Sequence, residues 1–492
     1  MPEPLVTLPE NRYAKQLRRL IGNLLTGSRS DSSVALQAAQ FFREEDQQLT
    51  TLEQLQQQVS QLEQQASRAR KNDPLFQQEL QQARQRLSDK QYQLQRGREH
   101  LYGKLQLICE QLLELTEGNS YQETILRSSR MLGTIQLLAP SEGDAAYLLQ
   151  QKYKPFYKAV LSLRLLDHLL QRQLITNSYI LRKYQQQQEL LHLDTKSAYQ
   201  PFRDDVQIPL LMAVLLQDVG HYHPEALLML QTDGQHPNYR RQFSPPQRDA
   251  FVELTQQASL RFLLKGIGSP QYRGNSRAER DEFMQREQEK LAFTATLLRA
   301  SQTPGNGVGN LLRLPQVYAS AVLPGRARYV YEALPKVALI LKNGARQGHY
   351  DERMVDQLLT ITGVFPQGYG IVYLPLDATG EPAERYEFAI VNSLYPPSPE
   401  TPLCRSVTRA MRYRTSGPNL TVSIAQNLYF KPARQQLSQV PEARLQQILS
   451  KLSADFEPAQ LRKFLPRCWH PDQFFAEPKH QNLWNKTGIQ PN

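Results

Sequence analysis

Five apolar residues, Leu52, Leu55, Val59, Leu62 and Ala66, recur at alternating spacings of three and four in a segment with 15 glutamines between Gln54 and Gln95. Glutamine builds no core, so this seam is what the segment has to bury, and a period near 3.5 sets it along one side of a helix. The pattern stops at Asn72-Asp73-Pro74, where Asp supplies a cap and proline fits the first turn of a new helix. A second stripe follows in Leu80, Ala83 and Leu87, then Leu101, Leu105, Ile108, Leu112 and Leu115. Two antiparallel helices sharing a stripe about 40 Å or more long, at ~1.5 Å per residue, satisfy both patterns. Such an arm serves either an intramolecular bundle or a homodimer and partner-docking surface.

Helical periodicity resumes after Gly118-Asn119-Ser120 and runs to about Leu138. Ser141-Glu142-Gly143-Asp144 then resembles a capping box opening a helix to about Leu174. The longest apolar run, Ile208 to Leu216, falls far short of the ~20 residues needed to cross a bilayer, so no membrane span is expected. Gly and Pro cluster over 266–270 and 301–309, on either side of a charged helix expected at 276–300. From Gly363 the pattern changes to short β-type runs at 370–374, 386–391 and 420–424, and helices are expected again over 441–453 and 457–464. The expected fold is mainly α: a Gln-rich helical hairpin region (1–140), an all-helical domain (141–362) and a small β-rich module with terminal helices (363–492).

With 40% hydrophobic and 21% charged residues over 492 positions, the composition is that of a soluble globular chain. Cys109, Cys404 and Cys468 are odd in number and widely spaced, and Met1-Pro2-Glu3-Pro4-Leu5 has neither a basic nor an apolar leader region. A cytoplasmic, reduced protein without a Cys-based zinc site is expected. The net charge of +11 is unevenly placed, with 15 basic and 15 acidic groups in 1–120 but 13 and 6 in 400–492. An anionic partner should therefore prefer the C-terminal part. There Arg405, Arg409, Arg412 and Arg414 fall within ten residues. Alternation along a strand would aim Arg405 and Arg409 to one face, where forked donors suit phosphate. No nucleic-acid module is recognisable, so nucleic acid is not an expected partner.

Three ordered segments carry a family resemblance. The apolar run from Ile208 ends in Gln217-Asp218-Val219-Gly220-His221; Asn310 to Val322 contains Leu314-Pro315-Gln316-Val317-Tyr318-Ala319; and Ala338 to Gly368 contains Lys342-Asn343-Gly344, His349-Tyr350-Asp351 and Thr362-Gly363-Val364-Phe365-Pro366. Together they resemble HD-domain phosphohydrolases, in particular the HD-GYP cyclic-di-GMP phosphodiesterases, over about 205–375. The resemblance implies an all-helical domain with a metal centre. Gln217 stands where the family has His and Gln316 where it has a ligating Asp, and the His-His-Glu and Gly-Tyr-Pro signatures are missing between Gly268 and Leu291. A neutral amide is a poor substitute for imidazole or carboxylate at a divalent cation. A degenerate site without cofactor is expected, in a regulatory protein that binds a phosphate-containing ligand, such as a cyclic dinucleotide, or a protein partner. One alternative is a divergent phosphohydrolase holding Mn or Fe on Asp218, His221 and His223 with a distant ligand such as His349. Another is a structural adaptor without a small-molecule ligand.

Overall fold

The computed structural model describes residues 11–438 apart from 28–30, 69–73, 139–143, 193–198, 232–236, 239–240, 304, 306, 325–328, 378 and 384, together with 443 and 466–485. In chain order the helices are α1 (Arg12–Leu25), α2 (Val34–Arg68), α3 (Pro74–Thr116), α4 (Tyr121–Leu138), α5 (Asp144–Gln171), α6 (Ser178–His192), α7 (Ile208–Leu216), α8 (Pro224–Leu230), α9 (Pro245–Arg261), α10 (Arg277–Ala300), α11 (Asn310–Val322), α12 (Val337–Arg346) and α13 (Glu352–Thr362). Strands β1 (Gly370–Tyr373), β2 (Glu387–Ser393), β3 (Leu403–Ser406), β4 (Thr408–Arg409), β5 (Arg412–Tyr413) and β6 (Asn419–Thr421) follow, then α14 (Lys431–Leu437) and α15 (Asp472–Phe475). The chain is mainly helical with a small antiparallel sheet near its C-terminal end. Among the described residues no helix is long and apolar enough to cross a membrane. The helices expected over 441–453 and 457–464, and the cap at 141–143, lie outside the described residues.

Two compact units divide the chain: residues 1–19, 111–177 and 300–492 form the first, and 20–110 with 178–299 the second. The segments 1–140 and 141–362 each contribute to both.

In the second unit, Val59 and Leu62 of α2 pack on Leu80 and Ala83 of α3, flanked by Ala66, Phe76 and Leu87. This is the seam that the three-four spacing requires. Every residue of α7 is buried, consistent with its unbroken apolar run. A π turn, Arg203–Gln207, leads into α7, and a 3₁₀ turn, Val219–Tyr222, leaves it. Gly220 in that turn approaches α9 so closely that a Cβ would lie 1.8 Å from the Thr255 carbonyl oxygen. Only glycine fits there.

In the first unit a four-stranded antiparallel sheet has the order β1-β2-β3-β6, and β4 and β5 form a separate hairpin. Ile371, Tyr373, Ala389, Val391, Cys404 and Val422 of the sheet region share a core with Tyr331, Phe365 and Tyr369. Helix α4 packs on β2, where Leu394 N–H donates to Ser129 Oγ at 3.0 Å. Helix α5 packs on α11 and α13, with the Tyr157 and Tyr318 rings stacked at 6.3 Å. Asp351 caps α13 by accepting from Met354 N–H, and Gly363 ends it at φ 65°.

Candidate functional site

The basic segment does not form one continuous strand. β3 ends at Ser406, Val407 intervenes, and β4 begins at Thr408, so the alternation expected to align Arg405 with Arg409 is broken. Arg405 is only 6% exposed, and its Nη atoms donate to the carbonyls of Gly417 at 3.0 Å and Asn485 at 2.8 Å. Burial, aided by the nearby Arg414 guanidinium, lowers its pKa. Arg405 thus fastens the module's own loops and is not presented for a ligand. Arg414 is half-buried, with its Nε enclosed.

Arg409 and Arg412 are exposed and face each other in register across the β4–β5 hairpin. Neither has an ion-pair partner among the described residues. The two residues between them, Ala410 at φ 49° and Met411 at φ 63°, both have positive φ, the mark of a type I′ turn that ordinarily selects Asn or Gly. L-residues with a Cβ pay about 1–2 kcal/mol each for this conformation. What holds it is Glu387 of β2: its buried carboxylate accepts from Ala410 N–H at 2.7 Å and from Met411 N–H at 3.3 Å. The side chain of Tyr413, 46% exposed, adjoins Trp469 and Phe474, and the Trp469 ring stacks on Phe388 at 4.8 Å. The hairpin therefore offers two guanidinium groups without ion-pair partners among the described residues on one face, while Tyr413, paired with Thr408, turns to the other face toward Trp469. Like charges directly opposite on paired strands repel, and an anion between them relieves that cost.

The positions of the phosphohydrolase resemblance are packed as follows. Gln217 caps α7; its carbonyl accepts from Ser259 Oγ at 3.2 Å, and the same Oγ accepts from Gly220 N–H at 2.9 Å. Asp218 opens the 3₁₀ turn. The His221 ring lies 5.2 Å from Phe251 of α9, whereas the His223 ring lies 5.3 Å from Phe42 of α2. Burial lowers the pKa of His223. Gln316, on α11, and His349, exposed beside Tyr350, belong to the first unit, and Asp218, His221 and His223 to the second. No group of three or more His, Cys, Asp or Glu gathers as a metal site among the described residues.

One cluster in the first unit escaped the sequence reading. Arg164 of α5, with only 3% of its side chain exposed, pairs with Glu117 and, at 2.9 Å, with Asp167. Burial outweighs the guanidinium and raises the Asp167 pKa to about 6, with Glu117 adding to the rise. The adjacent His168 bonds Gln357 Oε1 through Nε2 at 2.9 Å, and burial lowers its pKa. Arg164, Asp167 and His168 inside an otherwise apolar helical run were the available signal. No family model, curated protein or solved structure matches the chain.

Proposed function

We propose that this chain is a regulatory binding protein, HD-GYP-like but non-catalytic in its helical part, whose β-rich module receives a phosphate-containing ligand. Arg409 and Arg412, side by side on one face of the hairpin, would clamp the phosphate. The single observation that carries the reading is the cross-strand arginine pair, without counter-ion among the described residues, on a turn that a buried carboxylate holds in a costly conformation. Energy stored in this way persists only where the surrounding structure enforces it, and such places are frequently ligand sites. Cyclic di-GMP is the first ligand to try, by the family resemblance, with 5′-GMP as the single-phosphate comparison.

Calorimetric titration of the full chain tests this. Binding should weaken with salt, since exposed charges are screened within ~10 Å at 0.1 M. The double variant R409Q/R412Q should lose at least about tenfold in affinity, the scale of one charge-assisted hydrogen bond. Failure of both nucleotides to bind would overturn the reading in favour of a structural adaptor. Stoichiometric Mn or Fe with cyclic-di-GMP turnover would overturn it in favour of the phosphohydrolase.

A further inference from the structure

The all-helical second unit carries open cavities of its own. The π turn Arg203–Gln207, α3 and α10 line an open cavity of about 540 Å³, and another of about 600 Å³ runs along α6 and α10. Tyr199 and Arg286 line both. These volumes fall within the range of small-molecule sites, and π turns recur at functional positions.

Among the described residues every cation lining the cavities except Arg286 is paired, whereas the exposed carboxylates of Glu189 and Glu282 are not. Lys183 pairs with Asp205 at 2.6 Å, Arg182 with Glu289 at 3.0 Å, Lys290 with Glu287 at 2.8 Å and Arg273 with Glu99 at 2.5 Å. Two half-buried groups are left over. The Arg286 guanidinium has no carboxylate partner among the described residues; it lies over the rings of Tyr199, at 4.8 Å, and Phe283, at 5.6 Å. The Glu110 carboxylate accepts from the Gln106 amide at 2.9 Å and has no cationic partner among the described residues. Both line the 540 Å³ cavity, and they do not pair with each other.

The guanidinium is held in place. Tyr199, beneath it, is anchored by a hydrogen bond from its hydroxyl to Asp205 Oδ2, and Asp205 is fully buried on its lysine. Asp205 Oδ1 is buried and has no donor among the described residues. A pre-positioned, partly desolvated guanidinium is a forked donor for a carboxylate or phosphate. Glu110, the lining carboxylate without a cation, disfavours a dianion and welcomes a ligand that brings its own positive charge. We infer that this cavity binds a small zwitterion of the amino-acid class, carboxylate on Arg286 and ammonium on Glu110.

The test is calorimetry on the full chain with the twenty free amino acids in one arm and di- and triglycine in another, which separates a free amino acid from a peptide as the source. The N-acetylated and C-amidated forms of any binder follow. A zwitterion should bind, blocking either end should weaken it at least tenfold, and R286Q and E110Q, on different helices, should do the same while the unliganded protein stays folded. Should one variant fail to fold, the other and the blocked ligands decide. No binding in either arm, equal binding of the blocked forms, or full affinity in a folded R286Q would overturn the proposal.

Discussion

Replacing Glu387 by alanine should open the β4–β5 hairpin without unfolding the sheet that supports it. The carboxylate makes charge-assisted hydrogen bonds to Ala410 N–H and Met411 N–H. Bonds of this kind contribute about 1.5–3 kcal/mol each. Ala410 is exposed and Met411 half-buried, so the freed N–H groups regain water and the lower figure applies to each. About 3 kcal/mol is then lost from the closed hairpin, a roughly 100-fold rise in its opening equilibrium. Hydrogen exchange over 407–414 reads this directly, because Arg414 N–H is closed onto Val407 O at 3.0 Å and exchanges only when the hairpin opens. The companion variant A410N/M411G removes the positive-φ cost of about 1–2 kcal/mol per residue and should restore most of the lost protection in the E387A background. Wild-type exchange in E387A would refute the claim that the carboxylate holds the turn. Failure of Asn-Gly to rescue would refute the claim that strain is what it holds against.

Three further outcomes are expected. Gly220→Ala should destabilise the protein by at least about 1–3 kcal/mol in denaturant melts, because the added Cβ would lie 1.8 Å from the Thr255 carbonyl oxygen. Asp167, raised from 3.8 to about 6 in the folded protein, binds more protons folded than unfolded between those values, so stability should fall as pH rises across that window; D167N should flatten the slope in melts at stepped pH. His168 is lowered from 6.5, so its neutral form stabilises the fold above that pH and the contribution is lost as pH falls through its folded value; H168Q should abolish that loss.

The elements that could be read from sequence are those in which one period decides burial. The seam at Val59 and Leu62, and the wholly apolar Ile208–Leu216, stand where their spacing puts them, because a helix with a single apolar stripe, or with nothing but apolar residues, has few other arrangements. The arginine segment was misread for the opposite reason. Val407 donates to Phe388 O while its own carbonyl accepts from Arg414, so the residue changes partners in mid-segment and the alternation from Arg405 is reset by contacts 19 and 7 positions away. The Ala410-Met411 turn carries no turn signature at all. Its instruction resides in Glu387, 23 residues earlier than Ala410, which does from the neighbouring sheet what a glycine would do locally.

The cavity of the second unit has no motif for the same reason. Glu110 and Arg286 stand 176 positions apart, and each looks like an ordinary surface charge on a polar helix until the pairing of the neighbouring cations leaves these two half-buried groups without an ion pair among the described residues. Arg409 and Arg412 differ in one respect: they are close in sequence, yet their significance also rests on what is missing around them. A charge on a protein surface is normally solvated and contributes little. It becomes informative when the fold fixes it, as Tyr199 does under Arg286, and supplies no counter-ion among the described residues. A fixed charge is pre-organised for a ligand, because the entropy of holding it has been lost on folding and need not be lost again on binding.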